Sequence, residues 1–231
     1  MNIALGIGDE RKERVREAMK IFSSDSAFSR FMNLLSEILY VGILWIVCCI
    51  PLVTAGASTT AAYYAMAKCV RHKTGYIGKE FVHSFKSNFR QILPLTLAFG
   101  AVSGVLAVDL VYVWNHEGKL NNTLFVILVF MCFLVSGLTV YICPLLSRFR
   151  KKNTELIKTA AYVMFKFLPL TLAMLVVFAL ACAAVYLMPW AVLVLPGVYL
   201  FGLSFPMEYV LRKLMPPVEE DSEEAQKWYY Q

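Results

Sequence analysis

Charged residues are scarce in this 231-residue chain, where they make up 16% of positions, against about 25% in a typical soluble domain. Apolar residues make up 59%, and they come in long runs. Thr123–Cys143 has no charged residue in 21 positions, and Phe167–Pro206 has none in 40. Since a helix of about 20 apolar residues crosses a hydrocarbon core, the composition excludes an ordinary soluble domain. It predicts an all-α, polytopic membrane protein.

Motifs of catalysis and metal binding are also missing. The six cysteines show no CxxC spacing and lie in or beside apolar segments, where a free cysteine behaves as a small hydrophobic residue. The three histidines are scattered, and the chain has no nucleophile elbow, P-loop, HExxH motif or dinucleotide fingerprint. We therefore expect no enzyme activity, no disulfide, no metal and no cofactor.

The net charge of +6 is explained by basic residues at the ends of the apolar runs rather than by nucleic-acid binding. If Leu52–Val70 crosses the membrane, 21 of the 22 Lys and Arg residues share one side; if it does not, the split is 15 to 7. The positive-inside rule thus favours six spans with both termini in the cytoplasm, with five spans as the alternative. The predicted spans are Phe31–Val53, Leu52–Val70, Ile92–Trp114, Thr123–Leu146, Tyr162–Met188 and Trp190–Leu211.

The hexapeptide LPLTLA occurs twice, at Leu93–Ala98 and Leu168–Ala173. The similarity extends outward, which predicts parallel repeat units at 80–150 and 155–213, with Phe31–Val70 as a diverged third hairpin. Pro94 and Pro169 come early in their spans, where proline costs little because first-turn amides lack helical partners. We interpret the hexapeptide as the corner where an interfacial helix turns into the membrane.

The segment before the first corner is amphipathic. Phe81, Phe85 and Phe89 recur every four residues, while basic residues, Lys79, Lys86 and Arg90 with His83, occupy other faces. Such a helix is suited to lie at the headgroup boundary, and the alternative is a docking helix for a cytosolic partner.

Three acidic residues fall in predicted spans, where a charge is costly and often functional: Asp109, Glu37 and Glu208. Asp109 lines a polar cavity or reaches the outer water, and Glu208 has the spacing for an i,i+4 pair with Arg212. Small residues predict close helix packing at two places. Ala57, Ala61 and Ala65 form one small face, and Gly100 and Gly104 form a GxxxG motif that favours packing within the chain over dimerisation.

The chain resembles the YesL-like family of bacterial membrane proteins, a domain-of-unknown-function family. The resemblance rests on RFMNLLSEILYVGILWIVCCIPLVTAGASTTAAYYAMAK (Arg30–Lys68), TGYIGKEFVHSFKSNFRQ (Thr74–Gln91) and the LPLTLA corners. It implies a small helical integral protein of the bacterial cytoplasmic membrane, encoded near carbohydrate uptake genes, often those of ABC sugar importers. It implies no catalytic residues.

These observations predict a basic amphipathic segment at 1–30, one transmembrane domain at 31–212 and an acidic cytoplasmic tail at 213–231. The leading hypothesis is a non-enzymatic accessory membrane protein that supports carbohydrate uptake by an ABC importer, with the lipid bilayer and importer subunits as partners. The second is a small stand-alone transporter or channel for a polar solute. The sequence leaves the oligomeric state open.

Overall fold

The computed structural model describes residues 27–116, 119–149 and 151–215, and every regular element in these ranges is helical. Short 3₁₀ turns lie at Leu52–Thr54 and Pro189–Leu193, and a π-helical turn lies at Met66–Arg71. The basic segment at the N-terminus and most of the predicted acidic tail lie outside the described residues. The α-helices are α1 (Ala27–Cys49), α2 (Ala55–Ala65), α3 (Ile77–Trp114), α4 (Lys119–Arg148), α5 (Asn153–Lys166), α6 (Leu168–Leu187) and α7 (Leu195–Leu214).

Four helices in the described ranges, α1, α3, α4 and α6, are long and apolar enough to cross a membrane. The all-helical membrane architecture predicted from composition is therefore present. The other two predicted spans take a different form. Leu52–Val70 becomes a 3₁₀ turn, the 11-residue α2 and the π-helical turn. Helix α7 carries Glu208, and it has Pro196 in its first turn and Pro206 in its interior.

Helix α2 lies at the centre of the fold, packed against α1, α3, α4 and α7. Its alanines Ala57, Ala61 and Ala65 are all buried, so the small face expected from the sequence is turned inward. Gly56 brings the backbone of α2 so close to α3 that an added Cβ would lie 2.0 Å from the Thr96 hydroxyl. Small residues on α2 therefore allow this helix to occupy the middle of the molecule.

Helices α1 and α7 also approach each other closely. A Cβ on Gly197 would lie 2.5 Å from the backbone oxygen of Ile38, and one on Gly42 would lie 3.3 Å from the backbone nitrogen of Gly197. The GxxxG motif behaves differently, because a Cβ on Gly100 or Gly104 would meet no atom of the described residues within 4 Å. The prediction that this motif packs against another helix of the chain is therefore wrong.

The two LPLTLA copies adopt different conformations. Pro94 lies in the interior of α3, which continues through it for 38 residues, so the predicted corner at Pro94 is wrong. In the second copy the helix breaks at Phe167, and Pro169 lies in the first turn of α6. Here the Thr171 hydroxyl lies 3.1 Å from the carbonyl oxygens of both Met164 and Phe167. Because the Phe167 carbonyl already accepts the Thr171 amide, the single hydroxyl proton is available to the Met164 carbonyl at the end of α5.

Candidate functional site

Glu208 is the one predicted intramembrane acid that the structure places in the protein interior. It lies on α7 with 3% of its surface exposed. Its Oε1 accepts a hydrogen bond of 2.9 Å from the Tyr63 hydroxyl of α2 and pairs with the guanidinium of Arg148, the last residue of α4. Both charged side chains are almost fully buried. Glu208 therefore joins three helices at one buried point.

The π-helical turn brings further charged groups to the same region. Arg71 donates a hydrogen bond of 2.6 Å to the Ser204 carbonyl, one turn before Glu208, and its guanidinium lies 4.4 Å from the Phe205 ring centroid. On the α3 side, Lys68 forms a 2.8 Å ion pair with Glu80. A π-helical turn holds an extra residue, and such turns are frequent at functional sites. Here it directs Lys68 and Arg71 to different helices.

His72 follows the π-helical turn and lies in the field of Glu208, Arg71, Arg212 and Arg148. Partial burial lowers the pKa of the imidazole, since desolvation penalises the charged form; the arginines act in the same direction and Glu208 opposes them. The neutral form of His72 is therefore favoured at neutral pH.

The other two predicted acids lie nearer the surface. Glu37 of α1 pairs with Lys73 at 2.5 Å, and this pair is partly open to solvent. Asp109 is exposed on α3, and no ion pair among the described residues includes it. The structure thus gives Asp109 a surface position rather than one that lines a polar cavity.

The amphipathic part of α3 turns its aromatic face inward. Phe81 is buried, Phe85 and Phe89 pack against the core, and the three rings follow one another with centroids 6.4 and 5.5 Å apart. The protein core therefore covers the aromatic face, and the position of this helix at the headgroup boundary stays a prediction. Val82, Ser87 and four basic residues are left exposed. The basic residues are three or four positions apart and form a basic stripe: Lys79, His83, Lys86 and Arg90.

Arg148, Tyr63 and Arg71 were not predicted as site residues. Arg148 ends an apolar run, where a basic residue is usually a topology signal, and its partner Glu208 is 60 positions away. Within the described ranges, no group of three His, Cys, Asp or Glu side chains could hold a metal ion. The site is thus a buried ion pair with a hydroxyl donor, and the exposed basic face of α3 is a second feature.

The comparisons with known proteins concern the first half of this site. Residues 38–110 match a family model whose description is "Protein of unknown function, DUF624". The matched segment holds Tyr63, the π-helical turn and the basic stripe, whereas Arg148 and Glu208 lie beyond it. Searches of curated proteins and of solved structures gave no match.

Proposed function

We propose that this protein is a non-enzymatic accessory protein of the bacterial cytoplasmic membrane that binds a carbohydrate ABC importer, with both of its termini in the cytoplasm. The observation that carries the proposal is the basic stripe on α3. Because the aromatic face of this helix packs on the core, the stripe is free to contact an acidic surface of a partner protein.

The length of α3 supports this role. At 1.5 Å per residue, its 38 residues extend for roughly 57 Å, whereas the apolar run from Ile92 to Trp114 accounts for roughly 34 Å. The apolar run alone is long enough for a hydrocarbon core of about 30 Å. The first 15 residues, which carry the basic stripe, would therefore stand outside the hydrocarbon, where a cytosolic or peripheral partner can reach them.

The test is affinity purification of the tagged full-length protein in mild detergent, from cells grown on a complex polysaccharide, followed by mass spectrometry. The wild type is expected to recover permease or ATPase subunits of an importer. The double variant Lys86→Glu/Arg90→Glu should recover at least tenfold less, because like charges opposed across an interface cost several kcal/mol, which is about tenfold for each 1.4 kcal/mol.

The matched control is Lys152→Glu/Lys158→Glu, which makes the same charge change at two exposed positions on or beside α5. It should retain the importer subunits. Absence of importer subunits from the wild-type sample, together with unchanged sugar uptake after gene deletion, would refute the proposal.

A second candidate function is transport of a small polar solute. It is favoured by the buried Glu208 carboxylate, whose Oε2 has no hydrogen-bond partner among the described residues. In proteoliposomes this candidate predicts solute flux that Glu208→Gln abolishes and the exposed-site variant Asp109→Asn leaves intact. Wild-type flux equal to that of empty liposomes would rule it out.

A further inference from the structure

Two lysines from distant parts of the chain contact the same aromatic ring. Phe167 occupies the break between α5 and α6, and its ring centroid lies 5.9 Å from the Lys166 ammonium and 5.8 Å from that of Lys213 in the last turn of α7. Both lysines are exposed, and no ion pair among the described residues includes either of them. The fold therefore places two exposed ammonium groups around the Phe167 ring, each within about 6 Å of its centroid.

Tyrosine rings flank this lysine pair. The Lys166 ammonium lies 5.3 Å from the Tyr162 centroid, and that of Lys213 lies 4.3 Å from the Tyr209 centroid. Both tyrosines are more than half exposed. Lysines and tyrosines with one apolar and one polar end are typical of the membrane–water interface. Since the uncharged run to Pro206 starts at Phe167, the pair marks the polar limit of the α6–α7 hairpin.

An apolar groove between α6 and α7 begins one turn from Phe167. Its volume is about 490 Å³, and its α6 wall runs from Leu170 to Ala184. This wall is roughly 21 Å long at 1.5 Å per residue. It is therefore longer than the hydrocarbon of one leaflet, which is about 15 Å deep. Residues of both helices line the groove, among them Ala173, Val177, Ala181, Val198, Gly202 and Pro206.

We propose that this groove and the lysine pair form a binding site for one anionic phospholipid. The phosphate group lies between Lys166 and Lys213, and an acyl chain occupies the groove. Charge complementarity selects the ligand, because two neighbouring ammonium groups attract an anionic headgroup more than a zwitterionic one. The site is independent of the basic stripe on α3 and of any importer partner.

The headgroup half of the site is tested by native mass spectrometry of the full-length protein titrated with phosphatidylglycerol or phosphatidylcholine. The wild type should bind one phosphatidylglycerol in preference to phosphatidylcholine. Each of Lys166→Gln and Lys213→Gln should weaken phosphatidylglycerol binding about fivefold, which corresponds to the 1 kcal/mol or so of a basic residue near an anionic headgroup. The control Lys152→Gln/Lys158→Gln should bind like the wild type.

The acyl-chain half is tested by filling the groove. A side chain on Gly202 would enter open space, and Gly202 lines the groove, so Gly202→Leu should block the chain without disturbing the fold. Gly100→Leu is the matched control, since Gly100 also faces open space but lies on α3. The proposal is overturned if the two lipids bind equally, if neither lysine substitution weakens binding, or if Gly202→Leu binds phosphatidylglycerol as the wild type does.

Discussion

Glu208 shows how one residue can fix the arrangement of three helices. Its carboxylate is taken out of water, and a buried charge is tolerated only when a partner and hydrogen bonds compensate it. Arg148 supplies the opposite charge and Tyr63 supplies a hydroxyl donor. Because the three side chains come from α2, α4 and α7, a shift of any one helix would leave a charge or a hydroxyl unsatisfied. We therefore expect this three-residue contact to favour one register of the three helices.

Substitution of Glu208 is expected to destabilise the folded protein strongly. Glu208→Gln keeps an acceptor for Tyr63 but leaves the Arg148 charge buried without its counter-ion, so the free energy of unfolding should fall by about 3–5 kcal/mol. Glu37→Gln is the matched control, since its pair with Lys73 is partly exposed and should contribute at most about 1 kcal/mol. The measurement is reversible unfolding of the purified protein in detergent micelles.

A double-mutant cycle separates the pair from general damage at the site. If Arg148 and Glu208 are coupled, Arg148→Met/Glu208→Gln should be more stable than Glu208→Gln alone, because no uncompensated charge remains. The coupling would be contradicted if the losses in free energy of unfolding of the two single variants added up in the double variant. It would also be contradicted if Glu208→Gln and Glu37→Gln lost the same free energy of unfolding.

The sequence identifies one half of this pair and not the other. Glu208 stands out because it follows the uncharged run 167–207, which is 41 residues long. Arg148 follows an apolar run too, but there a basic residue has a common alternative explanation as a topology signal. Only the three-dimensional packing of α4 against the α2–α7 region brings the two together, and no local spacing encodes that contact.

At the scale of helices, close approach depends on glycines that form no motif. Gly42 and Gly197 lie on different helices, and each stands alone in its own sequence context, so only the crossing of α1 and α7 relates them. The GxxxG pair on α3 has the recognised spacing but lies on an exposed face. The spacing of glycines predicts a helix face made of small residues, whereas the fold determines whether another helix covers that face.

The two glycines Gly197 and Gly202 should respond to alanine in opposite directions. In Gly197→Ala the new Cβ would lie 2.5 Å from a backbone oxygen, and such overpacking typically costs about 1–3 kcal/mol. In Gly202→Ala the Cβ meets no described atom within 4 Å. Because alanine is a better helix former than glycine, the free energy of unfolding should rise by about 0.5–1 kcal/mol. Thermal unfolding in detergent measures both, and a stabilised Gly197→Ala protein would show that α1 and α7 do not cross as described.

The repeated hexapeptide shows a further limit of local sequence. Both copies place a threonine hydroxyl on the carbonyl four residues earlier, Thr96 on Ile92 and Thr171 on Phe167. Thr171 also shares a hydrogen bond of 2.9 Å with the Tyr141 hydroxyl of α4, whereas Thr96 packs against Gly56 of α2. Around Pro94 the helix continues, and nearby Gln91 donates a hydrogen bond to the Lys151 carbonyl while Ile92 is buried. Identical residues thus give a helix break in one context and a continuous helix in the other.

At the scale of the whole molecule, the distribution of basic residues permits two topologies. Six full spans place 21 of 22 Lys and Arg residues on one side. The same split results if α3, α4, α6 and α7 cross while α1 and α2 form a hairpin that enters the membrane and returns to its own side. If only the four most apolar helices crossed, the split would be 10 to 12. The positive-inside rule therefore rejects that last arrangement but cannot choose between the first two.

The contacts of α2 favour the returning hairpin. Gly56 packs against Ile92 and Thr96, at the start of the apolar run of α3, and Lys68 pairs with Glu80 in the polar part of that helix. Helix α2 and its π-helical turn therefore run alongside the polar half of α3. From Ala55 to Arg71 they extend for roughly 25 Å, less than a hydrocarbon core of about 30 Å.

Cysteine labelling can decide between the two topologies, because the turn between α1 and α2 is exposed and apolar, with Leu52 at 84% exposure. In a chain without native cysteines, Leu52→Cys should resist a membrane-impermeant maleimide from outside the cell, since the hairpin ends within the hydrocarbon. His116→Cys, in the turn after α3, should react from outside, and Tyr76→Cys should react only after permeabilisation. Rapid labelling of Leu52→Cys in intact cells would instead mean that α1 and α2 cross fully, because only a turn in the outer water could present that thiolate to the reagent.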